Sequence, residues 1–168
     1  MTARLLPPGL HSFDTLLPGD HFDTTTAPVT AEAIRAFADL TGDRFEVHLS
    51  DTGAQAHGFP AMVAHGLLVL SLVEGLKSSA PVQLGSFAAL GWDWQFAVPV
   101  LAGDRIRCRV TVLEKRAAGP ESGLLTLGVQ VFNQHGQCVQ KGTARVMAHR
   151  DRGQDRVKPT SWSAENFD

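Results

Sequence analysis

The spacing of apolar and polar positions changes once along the chain and divides it into a helical part and a stranded part. Between Ile34 and Thr41, apolar residues recur three or four positions apart, which is typical of an amphipathic helix. Thr30 is suited to cap this helix, and Gly42 is suited to close it in a left-handed conformation. The pattern therefore predicts a helix over residues 31–41.

A second helix is predicted over about residues 64–77, and its pattern is apolar on nearly every side. A helix that is hydrophobic all round must be buried on all sides. Ser71 and Gly75, four residues apart, leave a thin face where another backbone could approach closely. The apolar residues of this helix are Leu67, Leu68, Val69, Leu70, Leu72, Val73 and Leu76.

After Pro81 the apolar residues recur at every second position, which indicates half-buried strands. The return strand after the turn at 133–137 carries small residues, which suit a sheet that curls tightly. The main predicted strands cover residues 86–96, 105–112, 125–131 and 138–146. Short strands are predicted at 21–25 and 47–49, and a loop with one helical turn at 51–62.

A sheet that curves around the apolar helix explains both patterns and gives an α+β hot-dog fold. One such unit leaves a sheet edge and one side of the helix uncovered, so we expect a homodimer with a continuous sheet. The expected organisation is an irregular leader at 1–12, one domain at 13–150 and a polar tail at 151–168. Trp162 and Phe167 are possible docking points in the tail.

Composition narrows the choice of class and compartment. The chain has 168 residues, 43% of them apolar, which is enough for one well-packed core. A net charge of −2 gives no electrostatic footprint for nucleic acid or an anionic membrane. No apolar run reaches the length of a signal peptide or a membrane span, so a cytoplasmic protein is expected. Cys108 and Cys138 lie too far apart in sequence to suggest a disulfide framework or a zinc site.

Asp43 and His48 are the first candidates for chemistry. An Asp after a helix-ending glycine commonly forms an Asx turn, and a single His is commonly structural. Together, in an irregular segment beside a buried helix, a carboxylate and an imidazole can share one water molecule. Such a pair is suited to acid–base catalysis.

The start of the apolar helix is the second candidate feature. Ala64, His65 and Gly66 supply main-chain amides at a helix N-terminus, where negative charge on an oxygen is stabilised. Gly66 either lets a ligand approach the backbone or only relieves crowding. His48, His57 and His65 lack the spacing of an HxxxH or HExxH motif, so no metal site is predicted.

Three arginines alternate with apolar residues on one predicted strand, at Arg105, Arg107 and Arg109. We favour a solvated strand face for them, and the alternative is contact with a phosphate-bearing ligand.

Several of these segments together resemble a known family. They are Phe37-Ala38-Asp39-Leu40-Thr41-Gly42-Asp43 with His48, Gly58-Phe59, Val63-Ala64-His65-Gly66-Leu67-Leu68, Phe96-Ala97-Val98-Pro99-Val100 with Gly103-Asp104, and Asn133-Gln134-His135-Gly136 with Gly142-Thr143-Ala144. The set is similar to the signature of MaoC-like hydratases, the (R)-specific enoyl-CoA hydratase family. The resemblance extends over roughly residues 20–150.

The resemblance implies reversible addition of water across a 2-enoyl thioester. Asp43 and His48 would activate the water and transfer a proton, and an amide near Gly66 would hold the thioester oxygen. Ala64, His65, Phe45 and Phe59 are expected to line the substrate site. The substrate would be carried by coenzyme A or acyl carrier protein, and no further cofactor is expected.

One departure from the family pattern concerns the pocket. The family motif has Asn-Pro between the Asp and the His, where this chain has Phe45-Glu46. An aromatic residue at that place is similar to hydratase-like domains of aromatic-acid degradation enzymes. Two other functions stay open, an acyl-CoA thioesterase on the same fold and a non-catalytic protein that binds acyl thioesters.

Overall fold

The computed structural model describes residues 3–151, so Trp162 and Phe167 of the predicted tail lie outside the described part of the chain. The helices are α1 (Ala31–Thr41), α2 (Asp51–Ala56) and α3 (Gly66–Ser78). The strands are β1 (Gly9–Leu10), β2 (His21–Asp23), β3 (Ala27–Pro28), β4 (Val82–Gln83), β5 (Ser86–Phe96), β6 (Arg105–Ala117), β7 (Ser122–Phe132) and β8 (Cys138–His149).

Helix α1 has the bounds and caps that the sequence predicts. The Thr30 hydroxyl accepts a hydrogen bond from the amide of Ala33 at 3.1 Å, which satisfies one of the free amides at the helix start. Gly42 ends the helix with φ of 79°, a left-handed conformation that favours glycine. The loop that follows α1 therefore leaves the helix at a fixed point.

The main sheet is antiparallel and curves around α3. Its strand order is β2-β6-β7-β8-β5, and β3 also pairs with β6. Strands β5 and β8 pair from Ser86 with Ala148 to Phe96 with Gln140, with two irregularities in the register. This arrangement is the hot-dog fold of α+β class predicted from the sequence. It places the start of α3 near the ends of β5 and β8.

Helix α3 is buried on one side rather than on all sides. Leu68, Val69, Val73 and Leu76 are buried in the core, but Leu67 is 60% exposed, and Ser71 and Gly75 are exposed as well. A single unit was expected to leave one side of this helix uncovered, and within residues 3–151 the exposed side of α3 agrees with that expectation. The sheet covers one side of α3, and the stripe Leu67–Ser71–Gly75 lies on the other.

The segment between α1 and α3 differs from the sequence-based prediction. Residues 47–49 were expected to form a strand, but the chain forms a 3₁₀ turn over Glu46–His48 with the Val47 side chain buried. Ser50 then caps α2 through a hydrogen bond from the amide of Gly53. Because the turn occupies residues 46–48 and α2 begins at Asp51, no extended stretch long enough for a strand lies between them.

The N-terminal segment packs against the domain. Leu6 is buried, and β1 pairs in parallel with β4. Arg4 donates two hydrogen bonds to the buried carboxylate of Asp20, which lies in the turn before β2. These bonds, together with one from the amide of Leu17, hold the pKa of Asp20 below its usual value. Low pH therefore weakens this contact.

The small residues of β8 allow a close approach between strands. A Cβ atom on Gly142 would lie 2.2 Å from the carbonyl oxygen of Asp93 on β5. Such a distance is far shorter than van der Waals contact, so only glycine fits at this position between the paired strands.

Within residues 3–151, no helix is long and apolar enough to cross a membrane.

Candidate active site

Asp43 lies in the loop after α1, and its carboxylate is accessible. Its side chain is 56% exposed. One carboxylate oxygen accepts a hydrogen bond from the amide of Phe45 at 3.4 Å, which is the Asx-type contact expected of an Asp in this position. The other oxygen, Oδ2, lies 4.0 Å from Nε2 of His65.

His48 ends the 3₁₀ turn, and its ring is held by the main chain. Its Nδ1 atom lies 2.7 Å from the carbonyl oxygen of Val63. A carbonyl only accepts hydrogen bonds, so Nδ1 carries a proton, and in the neutral ring Nε2 carries a lone pair. His48 can therefore accept a proton at Nε2.

His65 lies directly behind this pair, at the N-cap position of α3, and is only 4% exposed. Its ring stacks on that of His48 with the centroids 3.8 Å apart and an angle of 23° between the planes. Its Nε2 atom donates to the main-chain carbonyl of Asp43 at 3.0 Å, and lies 4.0 Å from the Asp43 carboxylate. The structure thus brings Asp43, His48 and His65 together.

Each of these three residues offers an atom that could ligate a metal, and the three atoms lie within 4.8 Å of one another. The same spacing lets one water molecule bridge the Asp43 carboxylate and the His48 imidazole. His48 and His65 each use one ring nitrogen on a carbonyl. This leaves Nε2 of His48 for other contacts, while Nδ1 of His65 is buried and has no hydrogen-bond partner among the described residues. That the site works without a metal stays a prediction.

The start of α3 is shaped by glycine and by the end of β5. A Cβ atom on Gly66 would lie 2.7–2.8 Å from three ring atoms of Phe96, so the close approach at this glycine is made by Phe96. Within the described chain, no side chain caps the first amides of α3. The amide of Ala64 donates to Val100 at 2.8 Å. The amide of Ala64 is therefore not one of the unpaired amides at the helix start. That Ala64 lines the substrate site stays a prediction.

Gln140 is a residue of this region that the sequence analysis missed. It is buried on β8, and its amide group donates to the carbonyl of Gly66 at 3.2 Å. Its amide oxygen accepts from the indole N–H of Trp94 at 2.8 Å. A polar residue at an inward position of β8 is the signal that could have found it.

Phe45 and Glu46, the residues that depart from the family pattern, form one rim of the site. The Phe45 ring is half exposed and lies 6.4 Å from the His48 ring and 4.9 Å from the His57 ring, measured between centroids. His57 pairs with the Glu46 carboxylate at 2.5 Å. His57 is therefore engaged at the rim and is not one of the three clustered residues. Phe59 is half-buried after α2, where its amide donates to Ala54.

The three arginines of β6 lie on the outer side of the sheet, where they contact neighbouring strands. Arg109 makes two hydrogen bonds of 2.8 Å to Asp23 on β2. Arg107 lies over the Phe132 ring, 5.1 Å from its centroid. These contacts support the interpretation of a solvated strand face.

A family model described as MaoC like domain matches residues 14–134 of the chain. The chain belongs to the MaoC-like family. Among the relatives of this MaoC-like protein is the (R)-specific enoyl-CoA hydratase of Aeromonas caviae. It is 33% identical over 116 residues, which make up 69% of this chain and 84% of that protein.

Solved structures of MaoC-like proteins have the same architecture. The MaoC-like dehydratase from Rhodospirillum rubrum superposes with a TM-score of 0.76 at 26% identity, covering 84% of this chain and 98% of that one. The unliganded R-hydratase from Pseudomonas aeruginosa gives a TM-score of 0.70 at 27% identity, covering 90% of this chain and 96% of that one. The match extends over nearly the whole described domain.

Proposed function

We propose that this protein is a hydratase that adds water reversibly across the 2,3 double bond of a 2-enoyl thioester. The observation that carries the proposal is the placement of the Asp43 carboxylate within 4.8 Å of the His48 imidazole, beside the start of α3. The relatives add support, because they are named as hydratases and dehydratases of this substrate class.

In the proposed mechanism, Asp43 and His48 hold one water molecule between them. His48 presents the lone pair of Nε2, because its Nδ1–H is held by Val63. As the water oxygen bonds to C3, the pair takes its proton, and the electrons of the double bond move to the thioester oxygen. Amides at the start of α3 stabilise the enolate that results. Return of a proton from the pair to C2 completes a syn addition.

The acyl group would be delivered as a thioester of coenzyme A or acyl carrier protein, and the chemistry needs no further cofactor. Phe45 and the His57–Glu46 pair lie at the rim, where they would contact the acyl group or its carrier. A change of pocket shape at this rim would leave the acid–base pair in place. We therefore expect a narrowed or shifted substrate range with the same reaction.

The reaction is tested by offering the purified protein a short 2-enoyl-CoA and following two signals in parallel. Hydration removes the conjugated enone and keeps the thioester, so the enone absorbance falls and no free thiol is released. Branched and ring-derived enoyl-CoA substrates belong in the same panel, because Phe45 alters the rim. Release of thiol from saturated acyl-CoA at an equal rate would instead show a thioesterase and contradict the proposal.

We also propose that the protein works as a homodimer or a multiple of one. In the described sheet β5 pairs on one side only, with β8, and Trp92 and Phe96 on this edge strand are exposed. Leu67 on α3 is exposed as well, so no part of residues 3–151 covers the apolar surface of the edge strand and the helix. Pairing of two β5 strands would satisfy the free main-chain groups of both edges.

Sedimentation is expected to show a dimer or a multiple of a dimer at micromolar concentration, because the uncovered edge and helix are costly in water. Leu67→Asp is expected to shift the equilibrium toward monomer, since it places a charge on the uncovered stripe of α3. Leu113→Asp is the matched control, since Leu113 is exposed on β6 and away from that stripe. A wild-type monomer, or equal effects of the two substitutions, would contradict the proposed interface.

A further inference from the structure

His65 was expected to line the substrate site, but its contacts point elsewhere. The side chain is 4% exposed, so substrate in solution has almost no access to it. The Phe37 ring covers it on one side at 5.1 Å between centroids, and the His48 ring covers it on another. Its hydrogen bond goes to the main chain of Asp43. Both members of the acid–base pair are therefore in contact with one buried residue.

We propose that His65 is a positioning residue, which fixes Asp43 through its N–H group and His48 through its ring face. The proposal rests on the proposed function, because it assigns a task within the same reaction. His65 touches neither water nor substrate in it. It acts by limiting the motion of the two groups that do.

The hydrogen bond fixes the place of Asp43. A main-chain carbonyl only accepts, so Nε2 of His65 donates the proton in this bond. The Asp43 side chain is 56% exposed, so little packing holds it in place. The Nε2–H group of His65, buried at the start of α3, therefore holds the loop that carries Asp43 in place through this hydrogen bond.

The stacked ring fixes the plane of His48. Its Nδ1–H bond to Val63 still permits rocking of the ring about that bond, and the face of His65 3.8 Å away limits this motion. Val63 and His65 lie two residues apart on one segment. That segment is anchored by main-chain hydrogen bonds from Val63 to Val47 and from Ala64 to Val100. The acceptor and the stacking ring therefore move together.

When a catalytic group is no longer held in position, the turnover of bound substrate falls more than the affinity for that substrate. A displacement of about 1 Å in a catalytic group can cost about 10²-fold in rate. Because His65 is shielded from substrate, its replacement is expected to lower kcat and leave KM nearly unchanged. Replacement of a residue that bound substrate directly would instead raise KM.

Two substitutions of His65 remove its two contacts one at a time. His65→Gln keeps an N–H donor near the position of Nε2 but removes the ring, and His65→Phe keeps a ring but removes the donor. Each is expected to lower kcat by about 10- to 100-fold with KM within about threefold of wild type. Val73→Ala is the control, because it removes buried volume from the same helix without touching the pair. It is expected to lower the melting temperature and keep kcat.

Nitrogen NMR of the imidazoles gives a readout independent of turnover. In the wild-type protein, His65 is expected in the Nε2–H tautomer, and His48 is expected to show a protected Nδ1–H proton. His65→Gln should weaken that protection of His48. If the wild type shows no hydration, the proposed function fails, while the His48 signal still tests the positioning.

The proposal is overturned by a wild-type His65 in the Nδ1–H tautomer, which could not donate to Asp43. Folded variants with unchanged kcat, or with a raised KM at constant kcat, also contradict it. If neither variant folds, the tautomer of the wild-type ring decides alone.

Discussion

Asp43→Asn and His48→Ala are each expected to lower the rate of enoyl-CoA hydration by at least about 10²-fold, the usual scale for a positioned acid–base group. Asn keeps the size of Asp43 and its hydrogen bond from Phe45, but cannot take a proton. Ala at 48 removes the lone pair that the Val63 bond presents to the site. Steady-state kinetics with a short 2-enoyl-CoA measures both.

Folding should change little in these variants, because the Asp43 side chain is largely exposed and His48 is only half-buried. Two matched controls carry the same changes elsewhere. Asp39→Asn alters an exposed carboxylate on α1, and His135→Ala removes an exposed imidazole from the turn before β8. Both controls are expected to keep wild-type activity. Near-normal turnover in Asp43→Asn or His48→Ala, or outright unfolding, would show that the site is misassigned.

Gly53→Ala is expected to reduce both stability and activity, although alanine is the better helix former by about 1 kcal/mol. A Cβ atom at 53 would lie 2.3 Å from the carbonyl oxygen of Glu46, and main-chain atoms cannot move aside cheaply. Overpacking of this kind costs about 1–3 kcal/mol. The displaced turn, Glu46–His48, carries the imidazole that we propose to be catalytic, so the rate of hydration should fall about 10-fold or more.

Urea unfolding and kcat measured on the same samples test this result. Thr52→Ala, on the exposed side of the same helix, is the control and should stay within about 0.5 kcal/mol of wild type. If Gly53→Ala instead raised stability by the amount that helix propensity gives, α2 would not pack on the turn as the structure shows.

Local sequence patterns were sufficient to predict the large elements. Helix α1 has clear capping residues at both ends, and the long strands alternate over many residues, so their signals are strong. The strand at 47–49 was predicted wrongly because a run of three residues is too short to show a periodicity, and the chain forms a 3₁₀ turn over Glu46–His48 instead. An exposed side of α3 was expected for a single unit, but the hydrophobic pattern alone does not say what covers that side.

For the site, sequence spacing identified Asp43 and His48 as a pair, but not the contacts that hold them. Those contacts join residues that are distant in sequence, such as Asp43 and His65, which are 22 positions apart. The amide of Ala64 looked available because its partner, Val100, lies in another part of the chain. Gln140 was missed for the same reason, since it meets Gly66 across 74 positions.

Both imidazoles of the site are held by carbonyl oxygens of the main chain, those of Val63 and Asp43. Every amino acid supplies this acceptor, so the orientation of the His48 ring does not depend on which side chain of similar size stands at position 63. The rim residues Phe45 and Glu46 are likewise separate from these bonds. Substitutions at the rim are therefore expected to alter substrate preference without moving the two rings.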